Sequence, residues 1–350
     1  MAFVCVMLWQ VRPKMGPAHW FGLMFIAWCF ASVFWSVGSL DTIHQCFHLL
    51  LLTGVFLVAS AEVDLRPTVA ALGCGVAISA VVAMLQLHGY QPVNAGTAGG
   101  ASLFLNKDFF AEVASLSLLL STGFGLWAFV PGALYGVLVT ASRSAWLATL
   151  AGGVVLIWWR LPSLSCRVAL LTLLPIVVGA AIYTDLALHP GQSEPINDRI
   201  AFWQYTFVNL SWLGYGLGTY PLIWPGWNHA HNELLELAFE VGLGVVPLLG
   251  VFIYAFGGGV STAAQAALAS VLVSAFLYFP FHQPATAFLA ALLAGHLCGA
   301  RDRLRCAQPT GRIYSWEGAF DTESIGAGAL CRADLSRADL SVRPQSSERT

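Results

Sequence analysis

The chain has 350 residues, 57% of them apolar and only 10% charged, where an ordinary soluble domain carries about 25% charge. A formal net charge of -2 gives no electrostatic footprint for nucleic acid. Soluble enzyme folds are excluded for most of the sequence, and repeated apolar stretches of about 20 residues predict one all-α, polytopic bundle of transmembrane helices.

Residues 1–14 lack the basic start and small-residue cleavage site of a signal peptide, and their apolar run is too short to span a bilayer. Apolar runs then fall near 18–37, 43–60, 67–87, 108–124, 126–141, 144–159, 166–184, 236–256, 261–279 and 284–299. They predict about ten spans, several shorter than a straight crossing requires. Residues 185–231 break the pattern with Pro190, Gly191, Pro195, Pro221 and Pro225, a GYGLG run and four tryptophans. This stretch is expected to be a long periplasmic loop with interfacial anchors. A membrane domain over 1–300 is expected to give way at Arg301 to a polar cytoplasmic tail, 301–350, lacking stable structure. The tail holds eight of the sixteen Lys/Arg residues and seven acids. Its GALCR-ADLSR-ADLSV stretch is too short a pentapeptide repeat to cover its own edges.

Eight scattered cysteines with no CxxC pair predict neither a disulfide framework nor a zinc site. Lys and Arg of short loops concentrate on the cytoplasmic side. With the tail inside, counting back through the spans puts Arg160, Arg167, Arg66, Arg12 and Lys14 inside as well. Lys107, Arg143 and Arg199 are left outside, against the usual bias, which invites a functional explanation.

The chemistry concentrates in WNHAHNELLELAFEVGLG, residues 227–244. Asn232 is a natural N-cap, with Glu233 against the positive end of the helix dipole. Glu233, Glu236 and Glu240 follow at spacings of three and four and share one helix face, which should point into the bundle because carboxylates facing lipid are costly. His229 and His231 can reach one metal from an extended strand but not from one helix face, and HExxH is absent. Interfacial placement is the plain alternative for both. Arg143 opens an apolar run within TASRSAWLA and can simply snorkel or pair with a glutamate, and Arg199 can form a solvated pair with Asp198. Together the two arginines supply planar, permanently charged forks suited to pyrophosphate, with a histidine nearby to take a proton.

The ordered set SLFLNKDFFAE, TASRSAWLA, NDRIAFWQ, GYGLGTY, HAHNELLELAFEVGLG and FPFHQPA resembles the O-antigen ligase/polymerase superfamily of bacterial envelope glycosyltransferases across roughly residues 95–300. The resemblance implies a multi-pass inner-membrane enzyme, independent of metal and cofactor. It would take a glycan from an undecaprenyl-pyrophosphate carrier at the periplasmic face and pass it to a hydroxyl. The acceptor would be lipid A-core in a ligase, another glycan in a polymerase, or a protein in an O-oligosaccharyltransferase. Carried over by position, the family's two arginines fall on Arg143 and Arg199, holding pyrophosphate, and its histidine falls on His231, assisting the acceptor hydroxyl. Lys107, His229, Asn232, Glu236 and His282 are expected to line the substrate pocket.

Metal independence agrees with the lack of an outward DxD motif, since the nearest approach, Glu62-Val63-Asp64, falls inside. Trp203, Trp212, Tyr220, Trp224 and Trp227 can stack on sugars or anchor the loop at the interface. The sequence departs from the family in its short N-terminus and its tail. Two rival classes stay open: a transporter, with Glu236 and Glu240 lining an anion path, and a non-catalytic envelope scaffold.

Overall fold

The computed structural model describes residues 15–61, 63–90, 100–167, 196–224, 229–257 and 260–307. Residues 1–14, Glu62, Trp227 and most of the 166–184 run therefore lie outside the described residues, as do 185–195 of the expected loop and 308–350 of the expected tail. Among the described residues all regular structure is helical, with no strand. The chain divides into one unit over 1–304 and a second over 305–350, of which only 305–307 are described.

Apolar runs and helices coincide. Helices α1 (Pro17–Ala31), α2 (Ser39–Ser60) and α3 (Arg66–Leu87) come first, followed by α4 (Lys107–Phe124), α5 (Val130–Val139) and α6 (Arg143–Trp158). After α7 (Ile196–Val208) and the single turn α8 (Tyr220–Ile223) come α9 (Glu233–Val241), α10 (Val245–Phe256), α11 (Thr262–Leu277) and α12 (Pro284–Ala307). Proline in the first turn of α1, α3, α5 and α8 costs no hydrogen bond, since those N–H groups have no partner inside the helix.

Among the described residues, four helical segments are long and apolar enough to cross a membrane: Pro17–Phe34, Ser39–Ser60, Arg66–Leu87 and Glu233–Phe256. Trp127–Val139, Arg143–Trp158 and Thr262–Leu277 are shorter apolar helices. They fall below the roughly 20 residues of a straight crossing, so ten full spans are not what the described residues contain. The expected loop is also partly helical. Phe202 and Thr206 recur four apart on α7 and are both buried, a helical pattern that the prolines on either side conceal.

Three helices form the centre. α4 and α6 run parallel, with Thr149 Oγ1 donating to Ser115 Oγ at 2.7 Å and Ser115 Oγ to the Ala145 carbonyl at 3.4 Å. α11 lies antiparallel to both, because Gly123 meets Ala263 at one end while Ser274 meets Glu112 at the other. Small residues allow the approach, as they do wherever the surrounding medium is as apolar as the side chains. A Cβ on Gly152 would strike Leu119 and the Ala266 carbonyl. On α12, Gly295 and Gly299 form a GxxxG pair whose bare faces lie against the Phe56 and Ser60 carbonyls of α2.

Beyond that crossing, the last turns of α12 fasten the opposite end of the bundle. Tyr254 and Asp302 share a short hydrogen bond, Arg301 lies over the Tyr254 ring at 4.2 Å, and Arg303 donates to the Ser60 carbonyl at 3.1 Å. Buried His19 completes the clasp, bonding Ser60 Oγ at 2.9 Å with Asp302 at 3.8 Å. The polar composition from Arg301 onward therefore begins as helix, not tail, because its first charges have partners on α1, α2 and α10.

The GYGLG run has a structural purpose. Gly214 (φ +73°) and Gly242 (φ +55°) occupy the left-handed region, and a Cβ on either would strike the other segment's backbone at Glu240 or Trp212. Two main chains cross there, with Gly216 N–H donating to the Glu240 carbonyl and Leu243 N–H to the Trp212 carbonyl, both at 2.9 Å. The Glu240 carboxylate accepts from Tyr220 N–H at 2.9 Å, tying the loop to α9.

Two alanine substitutions on helices separate close packing from intrinsic propensity. Gly299→Ala should lower stability by about 1–3 kcal/mol, the usual cost of overpacking. Gly153→Ala, whose Cβ meets nothing within 4 Å, should be neutral or up to about 1 kcal/mol stabilising. Thermal unfolding of both variants in detergent checks the contrast.

Candidate functional site

One backbone device recurs at three helix starts. Leu105 (φ +60°), Ala141 (φ +48°) and His231 (φ +52°) are left-handed residues without the excuse of glycine. Each immediately precedes an N-cap, Asn106, Ser142 or Asn232, and so begins α4, α6 or α9. Asn106 accepts from Asp108 N–H at 2.8 Å and Asn232 from Leu235 N–H at 3.0 Å. Strained residues of this kind persist only where the surroundings hold them, often at functional sites.

The three starts lie at one end of the bundle. Phe109 on α4 touches the rings of Tyr278 and Phe279 just beyond α11, and Phe279 also contacts His229 and His231. On α6, the pairing of Ser115 with Ala145 and Thr149 sets Arg143 at about the level of Glu112, one turn from Ser115. Helix N-termini carry partial positive charge and unpaired N–H groups, which suits an anion.

At the mouth, histidines and carboxylates alternate. Glu236 Oε1 meets His229 Nδ1 at 3.0 Å and His282 Nε2 at 3.6 Å, while Glu236 Oε2 accepts from Ala230 N–H at 2.7 Å. His282 turns its other nitrogen to Glu233 Oε1 at 2.9 Å. Glu233, Glu236 and Glu240 are 5%, 1% and 3% exposed, so the shared face does point inward. Burial alone would lower the pKa of His282, but the Glu233 hydrogen bond and the charges of Glu233, Glu236 and Glu240 push it up to about 9.

Arg199 and Trp203, four apart on α7, reach the same end. Arg199 donates to the Leu277 carbonyl at 3.3 Å and Trp203 to the Ala230 carbonyl at 3.0 Å. The structure thus gathers Arg199, His229, His231, Asn232, Glu236 and His282, while Lys107 and Arg143 head the adjoining helices α4 and α6. Among the loop aromatics, Tyr220 is 1% exposed and bonded to Thr206, and Trp224 packs on Tyr205, so both are structural. Trp212 is 78% exposed.

Glu112 was not among the residues expected from sequence. It is 3% exposed on α4, accepting from Ser274 Oγ and, at 3.0 Å, from Gln283 Nε2. It thereby fixes the 280–283 turn that carries His282. An acid within an apolar run is the signal that could have found it.

Residues 128–249 match the family model described as O-antigen ligase. This segment is similar to O-antigen ligases. Four helical segments among the described residues are long and apolar enough to cross a membrane. The matched stretch contains Arg143, Arg199, His229, His231 and the three glutamates, and the bundle adds Lys107, Glu112 and His282 from outside it. No curated protein matches the chain.

Two measurements test this geometry. Glu112→Ala strands the donors of Ser274 and Gln283, costing about 1–3 kcal/mol, while Glu112→Gln should recover part of the loss in thermal unfolding. The folded pKa of His282 lies above the ordinary 6.5, so its ion pairs contribute fully below pH 6.5 and their contribution fades as pH rises through about 9. The stability difference between the native chain and His282→Gln should shrink across that window.

Proposed function

We propose that the protein transfers a glycan from an undecaprenyl-pyrophosphate carrier to an acceptor hydroxyl, lipid A-core in the ligase reading, at the periplasmic face of the inner membrane. The observation that supports this is that the α4, α6 and α9 N-termini and Arg199 lie at the same end of the bundle as His231. Leaving pyrophosphate gains negative charge as the sugar-phosphate bond breaks, and preorganised cations and helix ends offset that charge without reorganising. Arg143 and Arg199 hold the pyrophosphate, with Lys107 adding a point charge. The acceptor oxygen bonds to the anomeric carbon, the electron pair of the breaking C–O bond leaves with the pyrophosphate, and the hydroxyl proton passes to His231. No step calls for a metal or cofactor.

An apolar groove of about 480 Å³ supports the lipid-linked donor. It begins at Leu234, one residue beyond Glu233, and continues along Leu249, Phe252 and Ile253 against Leu272 and Phe276. A polyprenyl chain in this groove would bring its pyrophosphate to the polar end. Polymerisation and protein O-glycosylation use the same donor chemistry and differ in acceptor.

The transporter reading asks for a polar path through the bundle. The buried polar seam of Glu112, Ser115, Ser270, Ser274 and Thr286 encloses about 10 Å³, room for about one water. At the opposite end, Asp302, Tyr254, His19 and Arg303 bind helices to one another. A scaffold has no need of strained residues before three polar helix starts.

The test is the lipopolysaccharide ladder of a ligase-deficient, O-antigen-producing cell expressing this chain. The native chain should restore it. Arg143→Ala, Arg199→Ala and His231→Ala, at matched membrane abundance, should each reduce transfer by about 100-fold or more. Arg199→Lys should recover only part, since a point charge replaces a planar fork. Undiminished ladders from the alanine variants would overturn the assignment.

A further inference from the structure

We propose that His229, Glu236 and His282 form a binding site for a first-row divalent cation of the zinc type. One ligand atom from each residue lies within 4.8 Å of the other two. His229 Nδ1 and His282 Nε2 stand 3.0 and 3.6 Å from the same Glu236 oxygen. Zinc bonds of about 2.0–2.1 Å at tetrahedral angles give ligand separations of about 3.3 Å, so two sides of the triangle already have the right length. The two imidazole rings lie 4.2 Å apart, and side-chain rotation suffices to draw in the third side.

The surrounding contacts orient the ligands. Metal-bound histidines characteristically donate their second nitrogen to a carboxylate, and His282 Nδ1 is held by Glu233 Oε1 at 2.9 Å. The second oxygen of Glu236 takes the Ala230 N–H, so the ion would bind Oε1, replacing the proton now shared between Oε1 and His229 Nδ1. Glu233 Oε2 is buried and, among the described residues, has no hydrogen-bond partner. An ion has access, because the side chains of His229 and His282 are 24% and 27% exposed. Two imidazoles and one carboxylate suit zinc or its neighbours, whereas magnesium prefers an all-oxygen shell.

The ligands come from different segments. His229 precedes α9, Glu236 lies within it, and His282 sits in the turn between α11 and α12. A bound ion would bridge the end of the loop to that turn beside His231. Resting on the transferase reading, the consequence is a reversible clamp on the acceptor side of the site, distinct from the metal-independent transfer step.

Zinc binding is measured on the full chain in detergent, without a polyhistidine tag, stripped by chelator and with accessible cysteines alkylated, since Cys74, Cys166 and Cys306 are exposed. Equilibrium dialysis against zinc chloride should give one tight equivalent, unaffected by millimolar magnesium. Glu233→Gln should weaken binding by about 10–100-fold, and His229→Ala or His282→Ala by more. His231→Ala should retain it. Cobalt(II) added to the native chain should give the visible absorption of a tetrahedral site, a readout that needs no variant to fold. No stoichiometric zinc and no cobalt bands on the native chain, or zinc retained equally by both histidine variants, would overturn the proposal. Donor and acceptor are absent throughout, so a negative result leaves the transferase reading standing, and a failed transfer assay leaves the metal result standing.

Discussion

A carboxylate buried in a membrane bundle must be given hydrogen bonds or a counter-charge, because the alternative costs several kcal/mol. Glu233, Glu236 and Glu240 place three of them within eight residues, and the polar end of this molecule is organised around satisfying them. Each takes a different partner: Glu240 the backbone of the crossing loop, Glu236 the His229 ring and the Ala230 N–H, and Glu233 the His282 ring. Remove those partners and the short amphipathic helix α9 has no reason to stay inside.

The same requirement joins distant parts of the chain. Glu112, on α4, performs for the 280–283 turn what Glu240 performs for the loop. His282 consequently faces Glu233 because α4, not α9, holds its turn in place. The candidate site is assembled from segments separated by up to about half the chain, and close helix contacts at Gly152 and Gly123 keep α4, α6 and α11 in fixed register beneath it. Rigidity below and polar groups above suit a reaction in which charge must be met by groups already in position.

Sequence patterns revealed some of these features and concealed others. The i, i+3, i+4 spacing of the three glutamates and the cap at Asn232 were legible because helix geometry makes them local properties. Lys107, Arg143 and Arg199 stood out as departures from the charge bias, whereas the hydrogen bond from Arg199 to the Leu277 carbonyl had no signal in the sequence. The 185–231 stretch hid α7 because proline and glycine density signals turns without reporting the helical face between them. GYGLG signalled a loop, and only the structure shows its glycines serving a crossing of two backbones. His282 stood alone in FPFHQPA, and only folding gives it two carboxylates.

The sequence by itself determined the medium, the helices and the charge inventory. Apolar runs of bilayer length, capping residues and a near absence of charge depend on neighbours along the chain. Tertiary structure alone decided which charges meet. Glu112 with Gln283, Glu236 with His229 and His282, and Arg199 with the end of α11 are all contacts between segments whose spacing carries no signal. Their partners are set by helix register and crossing, which arise from close packing at glycines far from the site.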